Sequence, residues 1–158
     1  MRKREISPAS NDRTSPDRGW LDVEELARVE VTSEDREHPI EGALVPGAES
    51  GWRAARPGVQ TIRLIFDRSQ RLSRMQLVFM ETDVARTQEF VLRWSADGGR
   101  TFREIVRQQW NFSPPGTSRE VEDYRVDLDG VTELELTIVP DQGGGQARAS
   151  LAQWRLAA

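Results

Sequence analysis

Cysteine is absent from the 158 residues, histidine occurs once (His38), lysine once (Lys3) and tyrosine once (Tyr124). Each scarcity closes off a class of chemistry. Without cysteine there is no disulfide framework and no thiol nucleophile, and ordinary zinc sites are excluded. A Ser-His-Asp triad would rest on His38 alone, and a His-Pro pair (His38-Pro39) on a loop reads as a turn element rather than a base. No apolar run approaches the ~20 residues that span a bilayer. The basic N-terminus, MRKREISPASNDRTSPDRG, lacks the apolar stretch that a signal peptide carries behind its charges. There is no G-x-x-x-x-G-K-[ST] loop and no G-x-G-x-x-G, and Gly143-Gly144-Gly145 precedes a strand pattern, so it reads as a flexible turn. Nothing in the spacing of the acids singles out a glycosidase pair. Together these absences predict a protein that is not an enzyme, with the cytoplasm as its simplest location.

Charge argues against nucleic acid, and the lack of an exposed apolar spike argues against a membrane. The net charge is −4, with acids and bases interspersed along the chain, whereas a phosphate backbone is bound by clustered positive charge. Neither nucleic acid nor membrane is expected as a partner. That every basic residue except Lys3 is arginine is read as codon bias in a GC-rich, bacterial genome rather than as selection for anion binding.

What the chain does have is alternation. Residues 1–20 read as a solvated, disordered tail and residues 21–158 as one domain. Asp22 and Glu25 are spaced as a capping box over a single helical turn, Asp22 to Leu26. Leu26 to Ser33, LARVEVTS, reads as the first strand. Glu34 to Gly58 carries three prolines and four glycines, too broken for a regular element, with Trp52 as its anchor. Ile62, Leu64 and Phe66 share one face, Asp67 to Gln70 reads as a turn, and Met75, Leu77 and Phe79 again share a face. The segment QEFVLRWSADGGRTFREI, Gln88 to Ile105, reads as a hairpin about Asp97-Gly98-Gly99. Pro114-Pro115-Gly116 stops the next strand. Tyr124, Val126 and Leu128 alternate, Asp129-Gly130 turns, Leu134, Leu136 and Ile138 alternate, and Ser150 to Leu156 closes the chain. Eight short strands at this spacing predict an all-β fold, a single-domain antiparallel β-sandwich of the eight-stranded jelly-roll type. Its predicted core holds Leu64, Phe66, Leu77, Phe79, Leu92, Trp94 and Leu136.

Successive connections in such a sandwich alternate between its two ends. The short turns at Arg68–Gln70, Asp97–Gly99 and Asp129–Gly130 then share one end, and the long connections Glu34–Gly58, Glu81–Thr87, Trp110–Glu122 and Pro140–Gln146 share the other. Loops carry function on rigid scaffolds. The elaborated end is therefore the place for a site.

Ser95-Ala96-Asp97-Gly98-Gly99-Arg100-Thr101-Phe102 resembles the S-x-D-G-x-x-[WF] hairpin of the discoidin, or coagulation factor 5/8 C-type, family of galactose-binding-like β-sandwiches. The opening strand also resembles that family's, which commonly ends in V-T-x-S. Trp52 sits where the family often has a tryptophan, after the acidic-Gly pair Glu41-Gly42. The likeness runs from about Leu26 to Leu156. It implies a non-catalytic module that binds a carbohydrate or small ligand through loops at one end, by an exposed aromatic face with Arg, Asn or His donors. On this chain the implied ligand-binding set is His38, Trp52, Arg53, Arg86, Trp110, Asn111 and Phe112, centred on Trp110 and Asn111, because two aromatics flanking Asn cannot all face inward. The alternative is a cytoplasmic protein-interaction or structural module with no sugar ligand. No cofactor is expected, although relatives often hold a structural calcium. Glu41 or Glu49 would supply its loop acid, and Gln153 stands where the family has a last-strand Glu, a weaker ligand for a hard cation. Ligand identity and oligomeric state are left open.

Overall fold

The computed structural model describes residues 19–48 and 50–158. Asp22 caps the first helical turn, α1 (Val23–Leu26), its carboxylate accepting the Glu25 N–H at 3.3 Å. Strand β1 (Ala27–Val31) follows. The broken segment after it contains one more helical turn, α2 (Glu41–Leu44), and a two-residue strand, β2 (Trp52–Arg53). Then come β3 (Gln60–Met80), β4 (Arg86–Ser95), β5 (Arg103–Phe112), β6 (Arg119–Val139), β7 (Ser150–Leu151) and β8 (Gln153–Ala157). The expected tail falls outside the described residues as far as position 18, and Trp20 is already bridged to Ala157.

The sandwich is antiparallel, as predicted, with its eight strands divided differently from the expectation. Asp67–Gln70 and Asp129–Gly130 do not turn hairpins. They are bends inside two continuous strands of 21 residues each, β3 and β6, which pair with one another along their length from Gln60↔Ile138 to Met80↔Arg119. The register slips between Ile65 and Arg74, where both strands bend together. Bulges of this kind let a strand leave one sheet and enter another at a corner. The first half of β3 and the second half of β6 thus lie in a layer ordered β1-β3-β6-β4-β5, and the opposite halves lie in a layer β8-β3-β6.

The two layers close on an apolar core. Phe79 of the smaller layer stacks on Phe90 of the larger, with centroids 5.1 Å apart. Leu64, Leu77, Phe79, Leu92 and Leu136 are fully buried and Phe66 nearly so, while Trp94 is half-buried at the end of β4, beyond a bulge at Leu92/Arg93. Trp52 anchors the long loop, being 1% exposed with its Nε1 donating to the Ser33 carbonyl at 3.0 Å.

The β4–β5 turn shows what its serine and aspartate do. The Ser95 hydroxyl accepts the N–H of Asp97 and of Gly99 and donates to Asp97 Oδ1, which also accepts the N–H groups of Arg100 and Thr101. Donation from the Thr101 hydroxyl, then from its N–H and from Ser95, holds the Asp97 carboxyl well below the carboxylate range. The Gly98 N–H donates to Thr132 beside the bend of β6, so the hairpin turn and both bends share one end. At the other end Gln142 N–H reaches the Thr87 carbonyl, Glu81 N–H the Ser118 carbonyl and Ala54 N–H the Ala149 carbonyl. The long connections are gathered there.

Candidate ligand-binding site

The loop end carries a cleft of about 250 Å³. Its frame is a short ladder beyond the smaller layer. The Asp35–His38 turn bonds to β2 through Asp35 N–H to Arg53 O (2.8 Å) and Arg53 N–H to His38 O (3.1 Å). On its other side β2 pairs with β7, and Ser150 Oγ donates to the Met80 carbonyl at the end of β3. Gly51, at φ +68°, lets the chain pass close to the Leu151 carbonyl. Gly42 packs so tightly on Ser50 and Gly51 that a side chain there would meet the Gly51 carbonyl. The cleft's polar lining residues, Trp52 apart, are His38, Ser50, Arg53, Glu81, Thr82, Arg148 and Ser150.

Its charges are unevenly spent. Glu81 Oε1 accepts Arg86 Nε at 2.7 Å, and Oε2 accepts the N–H groups of Asp83 and Val84 at 2.9 and 3.1 Å. Burial raises the proton affinity of Glu81, but these donors outweigh it and hold the carboxyl below its ordinary range. Arg148 Nη1 lies 3.7 Å from Asp35 Oδ2, and His38 Nδ1 lies 4.0 Å from Asp35 Oδ1. Among the described residues the Arg53 guanidinium is paired with no carboxylate and no hydrogen-bond acceptor. It is the uncommitted charge of the cleft.

Of the residues expected to bind, the structure brings His38, Trp52 and Arg53 together and separates the rest. Trp52 contributes backbone and an almost fully covered ring, so no open indole face lines this cleft. The Arg86 side chain has no exposure. Its Nη1 donates to Gln88 Oε1 and to the Pro140 carbonyl at 3.0 and 2.8 Å, and its guanidinium lies 4.8 Å from the Phe112 ring centroid. Arg86 and the buried Phe112 are thus fixed beneath the cleft, and Arg86 acts on it only by gripping Glu81. Strand β5 runs on to Phe112, so Trp110 and Phe112 share the inward parity and only Asn111 points outward, accepting from Thr87 Oγ1 at 2.7 Å. Trp110 and Asn111 border a separate, shallow depression with Gln109 and Thr117. Sequence reasoning missed Glu81, Thr82, Arg148 and Ser150. The sharing of one end by the long connections was the signal for the first two, while Arg148 and Ser150 lie just past the last connection it covered.

Below the cleft the inner faces carry a buried polar chain. Gln88 Nε2 donates to Glu120 Oε1 at 3.3 Å, and Tyr124 OH donates to Glu122 Oε1 at 3.2 Å. Glu120 has no exposure. Burial first, and then the adjoining Glu122 carboxylate, raise its proton affinity well above the carboxylate range. Burial and Glu122 likewise push Tyr124 up. None of these groups reaches the cleft surface.

Glu41 begins α2, which packs against β8, and Gln153 is half-buried on β8 opposite Val78. Glu49 lies outside the described residues. Among the described residues no three His, Asp or Glu side chains form a group able to hold a metal ion. No helix among them is long and apolar enough to cross a membrane.

No family model and no curated relative matches the sequence. Solved structures do match the fold. The family 32 carbohydrate-binding module of C. perfringens NanJ, in complex with galactose, superposes with a TM-score of 0.65 at 14% identity, over 89% of this chain and 98% of that one. The CBM32 of AlyQ, in complex with 4,5-unsaturated mannuronic acid, gives a TM-score of 0.61 at 14% identity, over 83% and 94%. A CBM32 module from Clostridium perfringens, in complex with GalNAc-β-1,3-galactose, gives 0.60 at 19% identity, over 88% and 99%. The chain therefore has the β-sandwich fold of the CBM32 modules.

Proposed function

We propose that this domain is a non-catalytic saccharide-binding module whose ligand sits in the cleft between the Asp35–His38 turn, β2, β7 and the Met80–Thr82 segment. The observation that carries this reading is the cleft itself. On a sandwich whose structural neighbours were solved with sugars, the one end built of long loops holds a recess lined by His38, Arg53, Arg148, Thr82 and Ser150. These side chains offer the several convergent donors that sugar hydroxyls require, on a frame tied down by backbone hydrogen bonds. Among the described residues Glu81 is the one carboxylate that lines the recess, and both its oxygens are occupied, so binding rather than hydrolysis is the chemistry it supports.

The cleft is preferred over the depression at Trp110 and Asn111 because the Trp110 side chain follows the inward parity of β5. A glycan array followed by calorimetry with Arg53→Ala and Asn111→Ala tests both the function and the place. Saccharide binding that is lost in Arg53→Ala and kept in Asn111→Ala is the expected outcome. The reverse pattern moves the site to the β5 depression, and no binding to any glycan overturns the reading.

A further inference from the structure

We infer that the cleft selects an acidic saccharide over its neutral counterpart, with Arg53 pairing the carboxylate of a uronate; this rests on the saccharide-binding reading above. Two observations carry it. The first is the balance of charge. Of the charged side chains that line the cleft among the described residues, Arg53 and Arg148 stand against Glu81 alone, and Glu81 is neutralised by Arg86 while Arg148 lies 3.7 Å from Asp35. What remains open to a ligand is the Arg53 guanidinium, flanked by Arg148 and His38. A guanidinium holds a carboxylate with two parallel charge-assisted hydrogen bonds, which a hydroxymethyl group cannot return. The surplus is local, because the chain as a whole carries −4 and its general field repels anions.

The second observation is what the wall lacks. A neutral sugar ring gains much of its affinity by laying its apolar face on an open aromatic ring, and among the described residues the only aromatic ring that borders the recess other than His38, that of Trp52, is 1% exposed. Among the described residues Met80 is the one large apolar side chain presented openly there. A ligand without a stacking platform must be held by its polar groups, and a charged group gives more than a hydroxyl. At about 250 Å³ the recess is smaller than sites for drug-sized molecules, which run roughly 300–1,000 Å³, so it fits one terminal or branch residue better than a long chain.

Matched pairs that differ only at C6 test this: galactose against galacturonate, glucose against glucuronate, mannose against mannuronate, each titrated by ligand-observed NMR at low and high salt. In at least one pair the uronate should bind about tenfold or more tightly, a difference of about 1.4 kcal/mol. That preference should shrink at high salt. Arg53→Gln should abolish the preference, leaving the uronate no tighter than its neutral counterpart, and Arg100→Gln, at the opposite end, should change nothing. Neutral sugars binding as well as or better than their uronates in every pair overturns the inference and leaves the saccharide reading standing. So does a preference that survives Arg53→Gln in a folded variant. Failure of all six sugars together with a blank glycan array removes both. The wild-type preference and its salt dependence are read without any variant, so they decide the matter even where Arg53→Gln misfolds.

Discussion

Replacing Glu120 by glutamine should make the domain more stable at pH 8 and leave it unchanged near pH 5. Glu120 has no solvent exposure, and its Oε2 has no ordinary hydrogen-bond donor. Burial and the neighbouring Glu122 shift it from an ordinary 4.5 toward about 9. The sign follows from proton counting. Between those values the native state holds a proton that the unfolded state has released, so stability is complete below the unfolded value and falls as pH rises toward the folded one. One extra proton gives a limiting slope of about 1.4 kcal/mol per pH unit, hence about 2–3 kcal/mol between pH 6 and 8. That is a large share of the roughly 5–15 kcal/mol typical of a domain. The carboxyls held low, Glu81, Asp97 and Asp123, titrate below this window and do not confuse it. In Glu120→Gln the amide oxygen still accepts from Gln88 and its nitrogen donates to Glu122, while the ionisation is gone. Urea unfolding of both proteins at pH 5, 6, 7 and 8, with slopes compared, reads the effect directly. Equal pH dependence in the two, or a wild type that gains stability from pH 6 to 8, would refute the reasoning.

Three further outcomes are expected. Leu92→Ala, at a site with no exposure, should cost about 2–5 kcal/mol in the same unfolding assay, the range for a buried leucine leaving a cavity. Arg86→Met should cost about 3–5 kcal/mol, because it strands Glu81, Gln88 and the Pro140 carbonyl without their shared donor; a neutral result would show that the guanidinium is dispensable. EDTA should move the thermal midpoint little, as no three His, Asp or Glu side chains among the described residues form a group able to hold an ion, and Gln153 would offer a hard cation only a neutral amide oxygen. A large fall reversed by added calcium would count against this.

Much of the architecture was legible because alternation is a local property. The parities of Ile62–Phe66, Met75–Phe79 and Phe90–Trp94 each assign an inner face without knowledge of the partner, and all their members are buried as assigned except Trp94, which is half-buried. Even the capped turn at Asp22 is written in four residues. The bends were misread for a physical reason. Asp67 to Gln70 and Asp129-Gly130 have turn chemistry, and a turn and a corner ask the same residues for tight backbone. Only the pairing of β3 with β6 decides between them, and that pairing joins residues such as Gln70 and Val131. The cleft was half legible. His38 and Arg53 are held together by a short-range backbone bond, but Arg148 and Ser150 arrive from some hundred residues away. Arg86 looked like a free donor because nothing local announces that a guanidinium will be covered. Its burial comes from Pro140, Gln88 and Phe112 on three different segments.

The two long strands also decide how the molecule opens. Since β3 and β6 run unbroken through both layers, the smaller layer has no hinge on which to lift from the larger. Separating them means tearing the same pair of strands that hold the larger layer together. Amides at the two extremes of that pairing, near Ile62 and near Leu77, should therefore exchange with deuterium at one common free energy rather than as two independent units. The wall at Met80–Thr82 begins where β3 ends, so it is cantilevered from the long pairing of β3 with β6. A ligand entering there meets a surface already set, and the entropy of arranging it has been spent in folding.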